Sequence, residues 1–153
     1  MNTITIYMGH QRKMPKGVFI DTSALVALIN DKDKLHRQAI EIIEQLRRQN
    51  CILITTEFII LEVANELRNP IYRNRVVNYI NDLRNYKNIR IISVNTKLFQ
   101  NGWSLYSTRE DKEWSLTDCI SFIVMQENNI TEAFTSDRHF EQAGFIKLIK
   151  EVQ

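Results

Sequence analysis

Val18-Phe19-Ile20-Asp21-Thr22-Ser23-Ala24-Leu25 is the stretch whose reading decides the fold. Val18 and Ile20 are β-branched and flank an aromatic ring, a composition suited to a buried strand. The strand runs straight into a carboxylate and two hydroxyls, and an amphipathic run (Leu25, Leu28, Ile29) starts at once. The stretch predicts a short buried strand ending in Asp21 and followed by a helix to about Asn30. In an open α/β sheet, ligands bind outside the carboxyl ends of the strands. Asp21 therefore stands where chemistry would be done.

The pattern repeats along the chain. Asn30-Asp31-Lys32-Asp33 is a turn cluster, and Leu35, Ala39, Ile42, Ile43 and Leu46 recur at helical spacing through about Gln49. Ile52–Ile54 reads as a second strand, with a helix starting at Thr55-Thr56-Glu57. Residues 57–68 are apolar nearly all round, which predicts a helix buried on most sides with Glu62 inside it. Asn69-Pro70 stops that helix, and a further one over Ile71–Asn85 turns Val76, Val77, Ile80 and Leu83 inward. Ile89–Val94 is a third strand; Asn95 caps a helix with Leu98, Phe99, Trp103 and Tyr106 on one face. The loop Ser107–Glu113 leads to a helix from Trp114-Ser115-Leu116-Thr117-Asp118 to about Gln126. Ala133–Thr135 is a fourth strand, a short helix follows Ser136-Asp137, and Phe145–Ile149 is the last strand. Strands alternating with helices imply a mainly parallel sheet covered on both faces.

A chain of 153 residues with 44% hydrophobic and 25% charged residues is ordinary for one globular domain. We assign that domain to residues 14–153 and set residues 1–13 aside as a poorly placed, polar and basic N-terminal extension. The net charge of +2 is compatible with nucleic-acid contact without demanding it. Cys51 and Cys119 sit beside apolar runs at no pairing distance, so buried free thiols and a cytoplasmic setting are expected. No apolar run reaches the ~18–20 residues of a membrane span.

Four acids fall at corresponding places. Asp21 and Asp137 end strands, Asp118 lies in the first turn of a helix, and Glu62 lies early in another. Taken singly, each has a structural explanation. Asp21 and Asp137 read equally well as helix caps, and Asp118 as the second half of a capping box begun by Ser115, with Trp114 and Cys119 as the flanking apolar pair. Glu62, Asn65 and Glu66 read as a narrow exposed stripe. Taken together, strand ends and the starts of the following helices share one edge of a parallel sheet. Two carboxylates ~5 Å apart repel by roughly 3 kcal/mol at an effective dielectric near 20. A cluster of four needs raised pKa values or a cation, and oxygen ligands suit hard divalent ions such as Mg²⁺ or Mn²⁺.

VFIDTSAL, TTEFIILE, WSLTDCISF and TSDRHF together resemble the PIN-domain family, and specifically its VapC-type toxin ribonucleases. The resemblance spans Val18 to Ile149. It implies a three-layer α/β/α sandwich around a mainly parallel sheet of about five strands. It also implies an acidic pocket that binds one or two Mg²⁺ or Mn²⁺ ions and hydrolyses RNA phosphodiesters. By motif match, Asp21, Glu62, Asp118 and Asp137 are the catalytic and metal-binding acids, with Asp21 and Asp118 as direct ligands. Glu57 competes with Glu62 but is better explained as a cap partner in its first helical turn, and Asp111 is an accessory candidate in an exposed loop. Thr22 and Ser23 either hydrogen-bond the carboxylates or cap the first helix. His139 is considered as a general base and set behind the metal reading. A cognate antitoxin, a homodimer and an RNA substrate such as tRNA or mRNA follow from the same likeness.

Between Arg68 and Arg90 stand six basic residues against one acid, Asp82. Arg68, Arg73, Arg75 and Arg84 are candidate RNA contacts, with Tyr72, Tyr79 and Tyr86 interleaved for stacking. The same residues also read as a solvated helix face. Other enzyme classes fit less well. A haloacid-dehalogenase-like phosphatase wants a second Asp where Ser23 stands, a nucleotide-binding protein wants a glycine-rich loop after a strand, and a receiver domain wants a different order of acids. An RNA-maturation nuclease, or a non-catalytic scaffold of the same fold, remains the alternative.

Overall fold

The computed structural model describes residues 13–151. The expected extension over residues 1–13 lies, but for Lys13, outside them. The elements in order are β1 (Gly17–Ile20), α1 (Thr22–Ile29), α2 (His36–Arg48), β2 (Ile52–Thr56), α3 (Glu57–Glu66), α4 (Pro70–Asn85), β3 (Ile89–Ile92), α5 (Thr96–Thr108), α6 (Leu116–Glu127), β4 (Glu132–Phe134), α7 (Arg138–Gln142) and β5 (Ile146–Lys147).

The five strands form one sheet of order β3-β2-β1-β4-β5, and every pairing is parallel. β1 lies at its centre with Val18, Phe19 and Ile20 fully buried, as their composition demands. From β1 the chain steps one way, through β2 to β3; it then returns past β1 to β4 and steps the other way to β5. Because parallel crossovers are right-handed, α1–α4 cover one face and α5–α7 the other. Packing agrees: α1 contacts α2, α3 and α4, whereas α6 contacts α5 and α7. The reversal of strand order between β1 and β4 is a topological switch point, where the two chain ends diverge and leave a crevice.

Local capping sets the helix starts as the sequence suggests. Thr56, Asn95 and Ser115 each accept a hydrogen bond from the backbone amide three residues on. Gly102 lets α5 approach α6, since a methyl there would collide with Ile120. Cys51 and Cys119 are buried free thiols, as expected. No helix among the described residues is long and apolar enough to cross a membrane.

Three expectations need correction. In α3 only Ile59 and Val63 are buried, and Leu61 is 56% exposed. The helix packs chiefly on α1, and also on α4 and β2, through that one stripe, so Glu62 does not sit inside a buried helix. In α4, Val77 faces out, while Val76, Ile80 and Leu83 face in. In α5 the four residues expected on one face divide: Leu98 is buried on the side of Gly102, and Phe99, Trp103 and Tyr106 form an exposed ridge in which Phe99 stacks on Trp103 and Tyr106 is tilted against it.

Candidate active site

The last residue of β1 delivers Asp21 into the crevice beside the end of β4. The sheet ladder continues one residue beyond the strands, with the Asp21 amide donating to the Phe134 carbonyl at 3.1 Å. Asp21 has extended backbone at the start of α1, yet it makes no side-chain capping bond. Its carboxylate accepts instead from the Thr135 hydroxyl at 2.7 Å and from the Ser23 hydroxyl at 3.3 Å. Thr135 is fully buried; its oxygen also accepts from the Asp137 amide at 3.0 Å. Ser23 accepts from the Ser136 amide at 3.0 Å. Ser23 and Thr135 thus tie Asp21 to the turn that carries Asp137.

Asp21 is only 6% exposed, and burial pushes its carboxyl up from 3.8 to about 7. The Thr135 hydroxyl, and the Thr22 amide next to it in sequence, oppose the rise; the negative charges of Asp118 and Asp137 add to it. A buried acid facing two others is the electrostatic arrangement that a cation relieves.

Asp118 enters from the first turn of α6. Its Oδ2 accepts from the Ser115 amide at 2.9 Å while Ser115 caps the Asp118 amide, completing the expected capping box. The same oxygen lies 3.0 Å from His139 Nδ1. Burial holds the Asp118 carboxyl above its ordinary range, against the bonds from Ser115 and His139. Asp137 caps α7 through Oδ1, which accepts from the His139 amide at 2.9 Å, and its Oδ2 lies 3.5 Å from His139 Nδ1. Asp118, Asp137 and His139 together offer three ligand atoms within 4.8 Å of one another. For both acids, cap and cluster member are one and the same role.

Glu62 comes from α3, one helical turn in. Its Oε2 accepts from the Thr22 hydroxyl at 2.6 Å, so the residue after Asp21 holds the fourth acid. Thr22 and Ser23 therefore bond carboxylates, which decides between the two readings of those hydroxyls. The rival acids are engaged elsewhere. Glu57 reaches across to Ser93 and the Val94 amide, linking α3 to the segment before α5 rather than acting as a cap partner. Asp111 is held by Arg109 through two bonds of 2.8 and 2.9 Å, which keeps its carboxyl down at about 2. Of the arginines, Arg75 pairs with Asp31 in the α1–α2 loop at 2.8 Å, and Arg68, Arg73 and Arg84 are exposed.

Thr135 was not singled out from the sequence, although the signal lay in Thr135-Ser136-Asp137, where a hydroxyl ends a strand two residues before an acid. Of the four expected acids, the structure brings Asp118 and Asp137 together with His139, sets Asp21 near enough for their charges to raise its carboxyl, and ties Glu62 to Thr22 outside that group; carboxylate oxygens so placed are the donors that a hard divalent cation takes. The residues present fit such an ion.

Comparison with known proteins leads to the same architecture. The chain is 27% identical over 134 residues to the 23S rRNA-specific endonuclease VapC20 of Mycobacterium tuberculosis, in strain CDC 1551 / Oshkosh and in strain ATCC 25618 / H37Rv. The match covers 88% of this chain and 99% of those relatives. The crystal structure of Mycobacterium tuberculosis VapC20, described as a sarcin-ricin loop cleaving toxin, superposes with a TM-score of 0.74 at 25% identity. That superposition covers 85% of this chain and 97% of the other. A sequence model of the PIN domain matches residues 18–146, the segment that runs from β1 into β5 and carries all four acids. The chain belongs to the PIN domain family.

Proposed function

We propose that the protein is a metal-dependent endoribonuclease that hydrolyses RNA phosphodiesters, and that it is the toxin of a type II toxin–antitoxin pair. One observation carries the reading: a buried Asp21 carboxylate, held by hydroxyls rather than by a helix, faces Asp118 and Asp137 at the switch point of the sheet. The nuclease relatives, matched over nearly their whole length, support it.

In this reading Asp21 and Asp118 hold a Mg²⁺ or Mn²⁺ ion, with Asp137 and Glu62 completing the acidic set. Bound there, the ion supplies positive charge for the crowded phosphate oxygens and makes an adjacent water more acidic. The chain's own residues do the rest. Thr135 and Ser23 both donate to Oδ2 of Asp21 and so hold its rotamer. Thr22 holds one oxygen of Glu62 and leaves the other to orient the attacking water and take its proton. His139 steadies Asp118 through Nδ1 rather than acting as the general base. A proton on Asp21 is displaced when the cation binds, so affinity for the metal rises with pH through about 7.

The substrate class is RNA, with a ribosomal RNA loop, tRNA or mRNA as the target. Arg68 and Arg73, exposed near the start of α4, are placed to track its phosphates, whereas Arg75 is paired with Asp31 and Arg84 lies in the last turn of α4, toward the other edge of the sheet. In this reading the chain also forms a homodimer, which sedimentation of the pure protein tests. The reaction belongs to the cytoplasm, where the buried Cys51 and Cys119 stay reduced and where a cognate antitoxin would restrain the enzyme.

The test is incubation of the pure chain with ribosomes, tRNA and mRNA in Mg²⁺ or Mn²⁺, beside Asp21→Asn and Asp118→Asn. Cleavage that EDTA stops and both substitutions abolish is expected. Equal cleavage by all three proteins would overturn the assignment.

A further inference from the structure

Beyond β5 the chain runs on beside the end of β4, and the Ile149 amide donates to the Thr135 carbonyl at 3.1 Å. That bond seats residues 149–151 next to the threonine whose hydroxyl holds Asp21. The α1–α2 loop faces this tail. It is shaped by Asp33, which accepts from the Leu35 amide at 2.8 Å, and it is tied to α4 by the Asp31–Arg75 pair. Between loop and tail lies a cavity of about 640 Å³ that reaches Ser136, the residue between Thr135 and Asp137. Its size is that of a small-ligand site, roughly 300–1,000 Å³.

The wall of the cavity is chemically divided. Ile149 is 1% exposed and forms the floor beneath, so the apolar patch open to a ligand is the half-buried Leu35; Lys34 and Lys150 present exposed ammonium groups, and Glu151 is the lone carboxylate among the described residues. Lys147 does not contribute its charge to the opening. It is 5% exposed, and its ammonium is 3.5 Å from the Ser136 carbonyl and 3.6 Å from Glu141, where it props the turn before Asp137. Two ammoniums disfavour a cation here and favour a phosphate. Leu35 offers apolar contact to a base, and Glu151 an acceptor for its N–H groups.

We propose that this cavity is a nucleotide subsite, which takes an unpaired nucleotide of the RNA next to the cleaved bond. Its phosphate lies between Lys34 and Lys150, and its base lies on Leu35. The position of the cleaved bond rests on the ribonuclease reading above; nucleotide binding in the cavity does not. A base in a duplex is stacked and paired and cannot enter, so the subsite selects loops, bulges and single strands.

The experiment measures binding apart from cleavage. The full chain carrying Asp21→Asn is titrated with a fluorescent 12-nucleotide single-stranded RNA of mixed sequence and with the same RNA in a duplex. The pair Lys34→Glu/Lys150→Glu is compared with a charge-matched pair on exposed α2 and α5 positions, Arg48→Glu/Lys97→Glu. Loss of both ammonium groups from that one phosphate predicts a rise in Kd of about tenfold or more for the single strand and a salt slope shallower by about 0.7. The control pair is expected to change Kd by less than threefold, and the duplex to bind more weakly than the single strand. Equal losses in the two pairs, duplex binding as tight as single-strand binding, or no RNA binding at all would overturn the subsite. A wild-type chain that cuts no RNA while its Asp21→Asn form shows the expected losses would sink the nuclease reading and leave the subsite standing. A nuclease whose KM is unmoved by Lys34→Glu/Lys150→Glu would do the reverse.

Discussion

The acidic edge is built in two ways, and the β1–β4 seam differs from the α6–α7 junction in what its carboxylates do. At the seam, the Asp21 side chain makes no capping bond to α1. Hydroxyls of Ser23 and Thr135 hold it in place, and burial raises its pKa to about 7. At the junction, Asp118 and Asp137 each terminate a helix while they share His139. A residue kept against the interests of folding is there for another reason; a residue that also caps has two. The seam is thus the purer record of function, although the junction has the stronger sequence motif.

Asp21→Asn gives the sharpest break. Removing the proposed metal ligand is expected to lower cleavage on the order of 10³-fold. The same substitution is expected to stabilise the metal-free protein at neutral pH. The native state binds the Asp21 proton more tightly than the unfolded chain, with a pKa of about 7 against 3.8. Unfolding therefore releases that proton between these values, and this contribution to stability is full below 3.8 and lost as pH rises to about 7. The loss is bounded at about 4 kcal/mol, from 1.36 kcal/mol per pKa unit. Thermal melts in EDTA should show wild type losing stability over that window relative to Asp21→Asn, with Mg²⁺ restoring wild type only. Parallel pH curves would contradict the burial argument.

Asp118→Asn brings the junction into the comparison. Cleavage should fall by a similar order, since the second proposed ligand is lost, but any stability gained should be smaller than for Asp21→Asn. The asparagine must still receive the Ser115 amide to complete the cap, and it meets His139 as an amide instead of a carboxylate. Calorimetry of both variants at one pH settles the order. An equal or larger gain at position 118 would erase the distinction between seam and junction.

What the sequence made legible follows the same division. The strand that ends in Asp21, the turn at 30–33, the Asn95 and Ser115 caps and the alternation of strands with helices depend on nearest neighbours, and all appear where expected. The structure also brings Asp118 and Asp137 beside Asp21, because a parallel sheet collects its strand ends on one edge. Other features were illegible because they depend on which neighbour lies across the chain. Phe99, Trp103 and Tyr106 share a face by spacing alone, but spacing does not say that Gly102 and Leu98 turn the other face inward. Likewise α3 reads as buried until its packing through one stripe is seen. Thr135 was hidden because its partner Asp21 lies 114 residues away.

Thr135→Val tests the seam without touching an acid. Valine matches the shape, leaves the Asp137 amide without its acceptor and strips Asp21 of its strongest hydrogen bond. The Asp21 pKa should climb further, so metal affinity at pH 7 should drop by about tenfold and cleavage with it, and raising the pH should recover part of both. Thr135→Ser keeps the hydroxyl and should behave as wild type. Titration of Mn²⁺ binding across pH distinguishes this from simple loss of packing, which would leave the pH profile unmoved.

The smallest effect is expected at Ser115, whose hydroxyl caps α6 but touches no other acid than Asp118 among the described residues. Ser115→Ala removes one half of the capping box and should cost about 1 kcal/mol of stability. The other half survives, because the Ser115 amide still donates to Asp118 Oδ2 at the same place in the backbone. The carboxylate therefore keeps its orientation, and cleavage at a temperature well below the melt should stay within about threefold of wild type. That pairing of a clear stability loss with near-intact activity is the mirror image of Asp21→Asn. If Ser115→Ala instead lost activity as Thr135→Val does, the hydroxyl would be holding Asp118 for chemistry, and the α6–α7 junction would have to be counted with the seam.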